Sequence, residues 1–98
     1  MDVRRTASVL IALLSLAGVA AAADAPPGAT SCSGCHATSR WAGTSVPRLI
    51  GRTPAEIVSA MEAFRTGQRP GTIMDRVAKG FTDDEVKAIA AWYGAQKD

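Results

Sequence analysis

The sequence has few of the residues from which metal sites and nucleic-acid surfaces are usually built. Its 98 residues include one histidine and two cysteines, which are too few for a four-ligand zinc site. Eleven Lys or Arg stand against nine Asp or Glu, and without a concentrated basic face nucleic acid is not an expected partner. No internal repeat or interdomain linker is visible. The length therefore fits one small domain.

A short apolar segment near the N-terminus has the pattern of a secretory signal. Arg4 and Arg5 precede an apolar run over residues 7–20, and three alanines at 21–23 suit cleavage. The run is shorter than the roughly 20 residues of a membrane-spanning helix, and a twin-arginine signal is the weaker alternative. We predict a signal peptide over residues 1–23, export to the periplasm, and a domain over residues 24–98 with no membrane anchor after cleavage.

The segment Cys32-Ser33-Gly34-Cys35-His36 carries the strongest chemical signal. In this C-x-x-C-H pattern each thiol can form a thioether with one vinyl group of haem, and the histidine can ligate the iron. A redox dithiol would need a βαβ context, and a disulfide would suit an oxidising compartment. We predict one haem c, bound covalently through Cys32 and Cys35, with His36 as an iron ligand. Such a group would also stabilise a domain too small to bury much core.

Residues 46–51 contain a proline that stiffens a loop. A ligating imidazole needs an acceptor for its second nitrogen, because that hydrogen bond sets the tautomer and the ring orientation. We predict that the Pro47 carbonyl accepts from Nδ1–H of His36 and that Leu49 packs on the porphyrin. The alternative is a turn that buries Leu49 without any contact to His36.

Two later segments have the sequence pattern of a helix start. Thr53-Pro54-Ala55-Glu56 and Thr82-Asp83-Asp84-Glu85 each place a Thr N-cap three residues before a Glu, as in a capping box. The first predicts a helix to about residue 65, ended by Gly67, and the second a helix to about residue 96. Apolar residues at helical spacing predict the buried positions: Ile57, Met61 and Phe64 on the first helix, and Val86, Ile89, Ala90 and Tyr93 on the second.

The N-terminal part of the domain predicts little helix. Pro26 and Pro27 give an extended lead, and a short helix of about two turns is expected from Ala29 or Thr30 through the attachment residues. Residues 37–46 are small and polar and predict a loop.

Residues 67–74 form a loop rich in glycine and proline that ends on a methionine. A methionine thioether is a common axial ligand of haem iron opposite a histidine. Met61 lies on an apolar stripe and Met1 leaves with the signal, so Met74 is the candidate; the alternative is a Met that fills a gap in the core. We predict that His36 and Met74 are the two metal ligands and that no residue is catalytic.

Several residues leave two interpretations open. Trp41 either packs against a haem edge or anchors a loop, half-covered by its neighbours. Basic residues near the methionine loop are either solvated charges or contacts to a haem propionate or a partner: Arg65, Arg69, Arg76 and Lys79. The acids at 83–85 are most simply a helix start, where the helix dipole favours negative charge.

The chain resembles class I c-type cytochromes, which are small all-helical monohaem electron carriers. The resemblance rests on specific residues: Cys32, Cys35, His36, the stretch 47–51, the loop that ends at Met74, and the Ala-Trp-Tyr step at 91–93. It implies an all-α cytochrome c fold of about four short helices around one covalent haem. It also implies a bond from His36 to the Pro47 carbonyl, with Trp92 against the first helix and Tyr93 turned inward.

Residues 63–70 and 74–83 also resemble the cytochrome subunits of flavocytochrome c sulfide dehydrogenases. Those subunits carry away electrons from an FAD-binding subunit that oxidises sulfide. Only eight residues separate the expected cleavage site from Cys32, so the first helix is short for this class. A partner protein that covers surface left open by this domain is one explanation.

These observations predict an electron-transfer protein that is not catalytic by itself. The leading interpretation is a cytochrome subunit that accepts electrons from a sulfide-oxidising flavoprotein. The alternative is a free soluble shuttle to a terminal oxidase or another reductase. A haem sensor or a peroxidase-like protein would require that Met74 does not hold the iron.

Overall fold

The computed structural model describes residues 24–97, so the predicted signal peptide lies outside the described residues. All regular structure in the described part of the chain is helical: α1 (Ala29–Cys32), α2 (Pro54–Arg65), α3 (Met74–Val77), a 3-10 turn (Ala78–Gly80) and α4 (Asp83–Ala95). The prediction of an all-α fold with four short helices is confirmed.

The two long helices begin with the predicted capping boxes. The Thr53 hydroxyl accepts from the Glu56 amide at 3.2 Å, and the Glu56 carboxylate accepts from the Thr53 amide at 2.9 Å. Thr82 and Glu85 repeat the same pair of bonds at the start of α4. Donation by the Thr82 amide lowers the pKa of the Glu85 carboxyl, which keeps it ionised beside the positive end of the helix dipole. Each box satisfies two amides that have no partner inside the helix.

The helix that carries the first cysteine is shorter than predicted. The expected two turns through the attachment residues are wrong, because α1 ends at Cys32 and the chain continues in turns to His36. Ser31 Oγ donates to the Gly28 carbonyl at 2.6 Å, and Ser33 Oγ donates to the Thr30 carbonyl at 2.7 Å. Serine side chains that bond nearby carbonyls in this way compete with the helical ladder.

The core lies where α1, α2 and α4 meet. Every predicted position on α4 is buried, as is Ile57 on α2, and Met61 packs half-buried against this cluster. The predicted stripe on α4 is therefore confirmed, whereas on α2 only Ile57 is buried, and Phe64 is half-buried outside this cluster. Gly67, with φ +79°, follows the last turn of α2 in the left-handed conformation expected of it.

Tyr93 joins the two ends of the described chain. Its side chain is 1% exposed, and its hydroxyl donates to the Ala29 carbonyl at 2.5 Å across 64 positions of sequence. Burial raises the pKa of the Tyr93 phenol, so the hydroxyl keeps the proton that it donates. Trp92 packs edge-on against this ring, with centroids 4.9 Å apart. The inward Tyr93 implied by the resemblance is confirmed.

The second helix approaches the last one closely at a glycine. A Cβ on Gly94 would lie 2.7 Å from Cγ and Cδ of Pro54, and such a separation forces one of the two backbones to move. Pro54 has a rigid ring and stands at the first position of α2. The absence of a side chain at position 94 therefore sets the distance between the two helices.

Gly94→Ala is expected to lower the free energy of unfolding by about 1–2 kcal/mol, because overpacking costs more than alanine gains over glycine in a helix. Urea unfolding followed by circular dichroism measures it. Gly80→Ala is the matched control, since a Cβ there meets nothing within 4 Å. A Gly94→Ala protein as stable as the Gly80→Ala protein would show that the helices separate without cost.

Tyr93→Phe removes the hydroxyl while keeping the ring. We expect a loss of about 1–3 kcal/mol in unfolding free energy, because the buried Ala29 carbonyl loses its donor. The same urea titration measures this change. An unchanged midpoint would mean that water replaces the hydroxyl and that the bond adds nothing to stability.

Candidate functional site

The two cysteines of the C-x-x-C-H sequence lie at the end of α1 and in the turn that follows it. Cys32 is half-buried, Cys35 is exposed, and both thiols are free. The alternative of a disulfide between them is therefore wrong for this structure. The Cys32 thiol lies 3.6 Å from the Gly28 carbonyl, and burial raises its pKa, so it is held as the neutral thiol. Both sulfurs remain available for thioether bonds.

The His36 ring is oriented by the proline loop. Its Nδ1 lies 2.6 Å from the Pro47 carbonyl oxygen, and its amide donates to the Cys32 carbonyl at 2.8 Å. A carbonyl oxygen can only accept, so Nδ1 carries a proton, and in a neutral imidazole the lone pair is then on Nε2. The predicted hydrogen bond is present. This is the tautomer of an imidazole that binds a metal through Nε2.

The turn that follows Pro47 is anchored to the core. Leu49 is half-buried and packs against the buried cluster, and its carbonyl accepts from the Arg52 amide at 3.2 Å. The alternative of a turn without contact to His36 is wrong, because Pro47 makes that contact. Packing of Leu49 on a porphyrin stays a prediction.

The loop over residues 37–46 carries an exposed tryptophan. Trp41 is 86% exposed, so the interpretation of a loop anchor half-covered by its neighbours is wrong. The loop is joined to the proline turn by Arg48, whose Nε and Nη2 donate to the Thr38 carbonyl at 3.1 and 2.6 Å. This arginine was missed by sequence reasoning; its place directly after the proline was the available signal.

The methionine loop rests on an aromatic ring of α2. The Arg69 guanidinium lies 4.8 Å from the centroid of Phe64, and a Cβ on Gly71 would lie 3.0 Å from the edge of the same ring. The Arg69 amide also donates to the Ala63 carbonyl at 3.0 Å. Met74 follows this loop as the first residue of α3 and is half-buried. Phe64, expected to be only a core residue, thus supports the loop that carries the candidate ligand.

One of the basic residues near this loop serves the fold. Arg65 Nη1 lies 2.6 Å from an Asp83 oxygen, and Nη2 lies 3.1 Å from a Glu62 oxygen. Arg65 therefore ties the end of α2 to the start of α4, and its interpretation as a simply solvated charge is wrong. The acids at 83–85 form a helix start, as predicted, and Asp83 also bonds across to α2.

These residues offer donors that fit a haem. Two free thiols three residues apart precede an imidazole with an available Nε2, and a thioether stands on a separate supported loop. Large apolar side chains are exposed in the loop after His36 and on either side of Met74: Trp41, Val46, Ile73 and Val77. Such side chains are suited to contact with an apolar ring system.

Two other features are absent from residues 24–97. No group of three or more His, Cys, Asp and Glu side chains within this range could hold a metal ion by itself. None of the helices in this range has the length and apolar character needed to cross a membrane.

Comparison with known proteins gives relatives that are named as cytochromes or as an electron acceptor. No protein-family model matches the chain. It is 39% identical over 64 residues to the cytochrome subunit of sulfide dehydrogenase of Chlorobaculum tepidum, which covers 65% of this chain and 58% of that protein. It is 32% identical over 77 residues to the thiosulfate dehydrogenase electron acceptor of Thiomonas intermedia, with 74% of this chain and 36% of that protein covered.

A third relative is matched over its whole length. The chain is 34% identical over 85 residues to cytochrome c-554(548) of Halomonas halodenitrificans, which covers 83% of this chain and 100% of that protein. By contrast, the match spans little more than half the length of the sulfide dehydrogenase subunit. With one C-x-x-C-H sequence at residues 32–36, the chain belongs to the monohaem c-type cytochromes, helical proteins with a covalently bound haem c.

Proposed function

We propose that this protein transfers single electrons between redox partners through its haem c. The observation that carries the proposal is the contact of 2.6 Å between His36 Nδ1 and the Pro47 carbonyl. It fixes the tautomer in which Nε2 can ligate iron, directly after two cysteines that can attach the macrocycle. Similarity to proteins named as cytochromes and as an electron acceptor supports the same function.

The chain supplies four bonding residues in this proposal. Cys32 and Cys35 would hold the haem through thioethers, and His36 Nε2 and the Met74 sulfur would ligate its iron. When bound, the haem supplies one-electron exchange between Fe(II) and Fe(III). Two protein ligands leave no iron position for a substrate, so the residues favour electron transfer over catalysis.

The residues around His36 and Met74 restrict the movement of these two side chains. The Pro47 carbonyl limits rotation of the His36 ring, and it does so from a turn that Leu49 anchors to the core. The Phe64 ring supports the loop that leads to Met74 through its contacts with Arg69 and Gly71. Ligands held in one geometry in both oxidation states reduce the rearrangement that accompanies electron transfer.

Met74→Ala tests the second ligand. We expect haem to stay attached, the reduction potential to fall on the order of 100 mV, a fraction of the roughly 0.8 V that axial ligands span, and the reduced protein to bind carbon monoxide. Potentiometric titration and optical spectra measure these changes. Met61→Ala is the matched control, because the Met61 side chain packs on the core. This variant should be less stable, but its reduced form should not bind carbon monoxide.

An unchanged potential in Met74→Ala would remove Met74 as a ligand. Carbon monoxide binding by the unaltered protein would have the same meaning, and it would favour the haem sensor or peroxidase-like interpretation. Neither result would bear on the proposal that the cysteines attach the haem covalently, which a pyridine haemochrome spectrum tests separately.

We further propose that the electron donor is a sulfide-oxidising flavoprotein with FAD, and that the protein works in the periplasm after removal of residues 1–23. The sequence over residues 63–70 and 74–83 supports this partner, as does similarity to a protein named as a cytochrome subunit of sulfide dehydrogenase. The second candidate is a free shuttle. It is supported by the full-length match to cytochrome c-554(548), whose name includes no enzyme.

Purification from the periplasm of the host at native abundance separates the two candidates. A complex with a flavoprotein should show a flavin band that travels with the haem, and sulfide should reduce the haem. Thiosulfate serves as the comparison substrate. A lone haem protein that ascorbate reduces and sulfide does not would contradict the flavoprotein partner and support the free shuttle.

A further inference from the structure

Two neighbouring contacts join the segment that begins at His36 to the turn that begins at Pro47. His36 Nδ1 meets the Pro47 carbonyl at 2.6 Å. Two positions further along, the Thr38 carbonyl accepts from Nε of Arg48 at 3.1 Å and from Nη2 at 2.6 Å. Residues 36 and 38 thus face residues 47 and 48. The second of these contacts, between the Arg48 guanidinium and the Thr38 carbonyl, is called here the arginine clasp.

We propose that Arg48 is a positioning residue for the His36 ligand. The arginine clasp holds the backbone after His36 against the proline turn, and this keeps the Pro47 carbonyl at His36 Nδ1. The inference rests on the proposed function, in which His36 Nε2 ligates the iron. Arg48 itself acts through Thr38 and Pro47.

Arg48 stands on the anchored side of the clasp. Its own carbonyl accepts from Nε of Arg52 at 2.9 Å, and Leu49, its neighbour, packs against the buried cluster. These contacts fix the backbone at position 48 relative to the core. The guanidinium therefore reaches from a fixed turn to a loop and determines where the loop lies.

The loop over residues 37–46 has short-range bonds of its own. The Trp41 amide donates to Ser39 Oγ, the Ala42 amide donates to the Ser39 carbonyl, and the Val46 amide donates to Thr44 Oγ1. These bonds span two or three residues and shape the loop locally. They do not connect it to the proline turn, whereas the arginine clasp spans ten residues.

The chemistry of the clasp suits arginine and not lysine. A guanidinium has donors in a fixed plane, so Nε and Nη2 can both bond the two lone pairs of one carbonyl oxygen. It is also charged at every working pH, and hydrogen bonds with a charged donor are stronger than neutral ones. A lysine ammonium keeps the charge but ends a flexible stem, so it does not reproduce the two-point contact.

The sign of the change in reduction potential separates positioning from simple charge. Loss of a positive charge near the iron stabilises Fe(III) and lowers the potential. A hydrogen bond at Nδ1 raises the basicity of the ligand, which also stabilises Fe(III), so a weaker bond raises the potential. Arg48→Lys keeps the charge and weakens the clasp. Positioning therefore predicts a higher potential for Arg48→Lys.

The experiment uses the haem-loaded, full-length mature protein as Arg48→Lys and Arg48→Gln, with Lys87→Arg as the control that also keeps its charge, because Lys87 is exposed on α4. NMR of the reduced form measures solvent exchange of the His36 Nδ1–H, and potentiometric titration gives the potential. We expect exchange to be at least about tenfold faster in both Arg48 variants than in the control. Arg48→Lys should also have a raised potential. Urea midpoints measure any loss of global stability, and the increase in the exchange rate should exceed what that loss accounts for.

Exchange and potential of Arg48→Lys equal to those of the control would overturn the proposal. A lowered potential in Arg48→Lys, or faster exchange fully accounted for by global unfolding, would do the same. The unaltered protein gives an independent test if a variant fails to fold: its Arg48 Nε–H should be protected from exchange, and rapid exchange there would overturn the clasp. Failure of the proposed function is recognised differently, by absence of covalent haem or of His36 ligation in the unaltered protein.

Discussion

The bond from the Tyr93 hydroxyl to the Ala29 carbonyl holds the attachment sequence against the rest of the fold. α1 has four residues, and a helix of that length is not stable by itself because nucleation costs more than one turn returns. Its position therefore depends on α4. Cys32 and the turn to His36 follow directly from α1, so the orientation of the haem-attachment residues is set from the far end of the chain.

Two loops carry the remaining parts of the site, and an arginine takes part in the support of each. The loop after His36 is tied to the proline turn by Arg48, and the loop before Met74 rests on Phe64 with Arg69 above the ring. Arg65 joins α2 to α4 through Asp83. Arginines in this small domain thus replace part of the packing that a larger core would provide.

Prediction from sequence succeeded where the signal is local. The capping boxes at Thr53 and Thr82 and the stripe through Tyr93 were all located, because caps and helical periodicity depend on residues within one or two turns. The first helix was predicted too long, since the Ser33 hydroxyl bonds the Thr30 carbonyl that the Gly34 amide would use in a longer helix, and the Gly34 amide bonds the Ser31 carbonyl instead. The interpretation of Trp41 as a half-covered loop anchor was wrong, because the exposure of a side chain depends on how distant segments pack.

The sequence by itself determined the chemistry of this protein: one C-x-x-C-H attachment site, one imidazole, a methionine after a glycine-rich loop, and helices with defined starts. These follow from residue type and short spacing. The tertiary structure alone decided which atoms meet. It placed the Arg48 guanidinium at Thr38 and the Phe64 ring under the methionine loop. Such contacts join residues many positions apart, so they depend on the packing of the whole domain and not on local sequence.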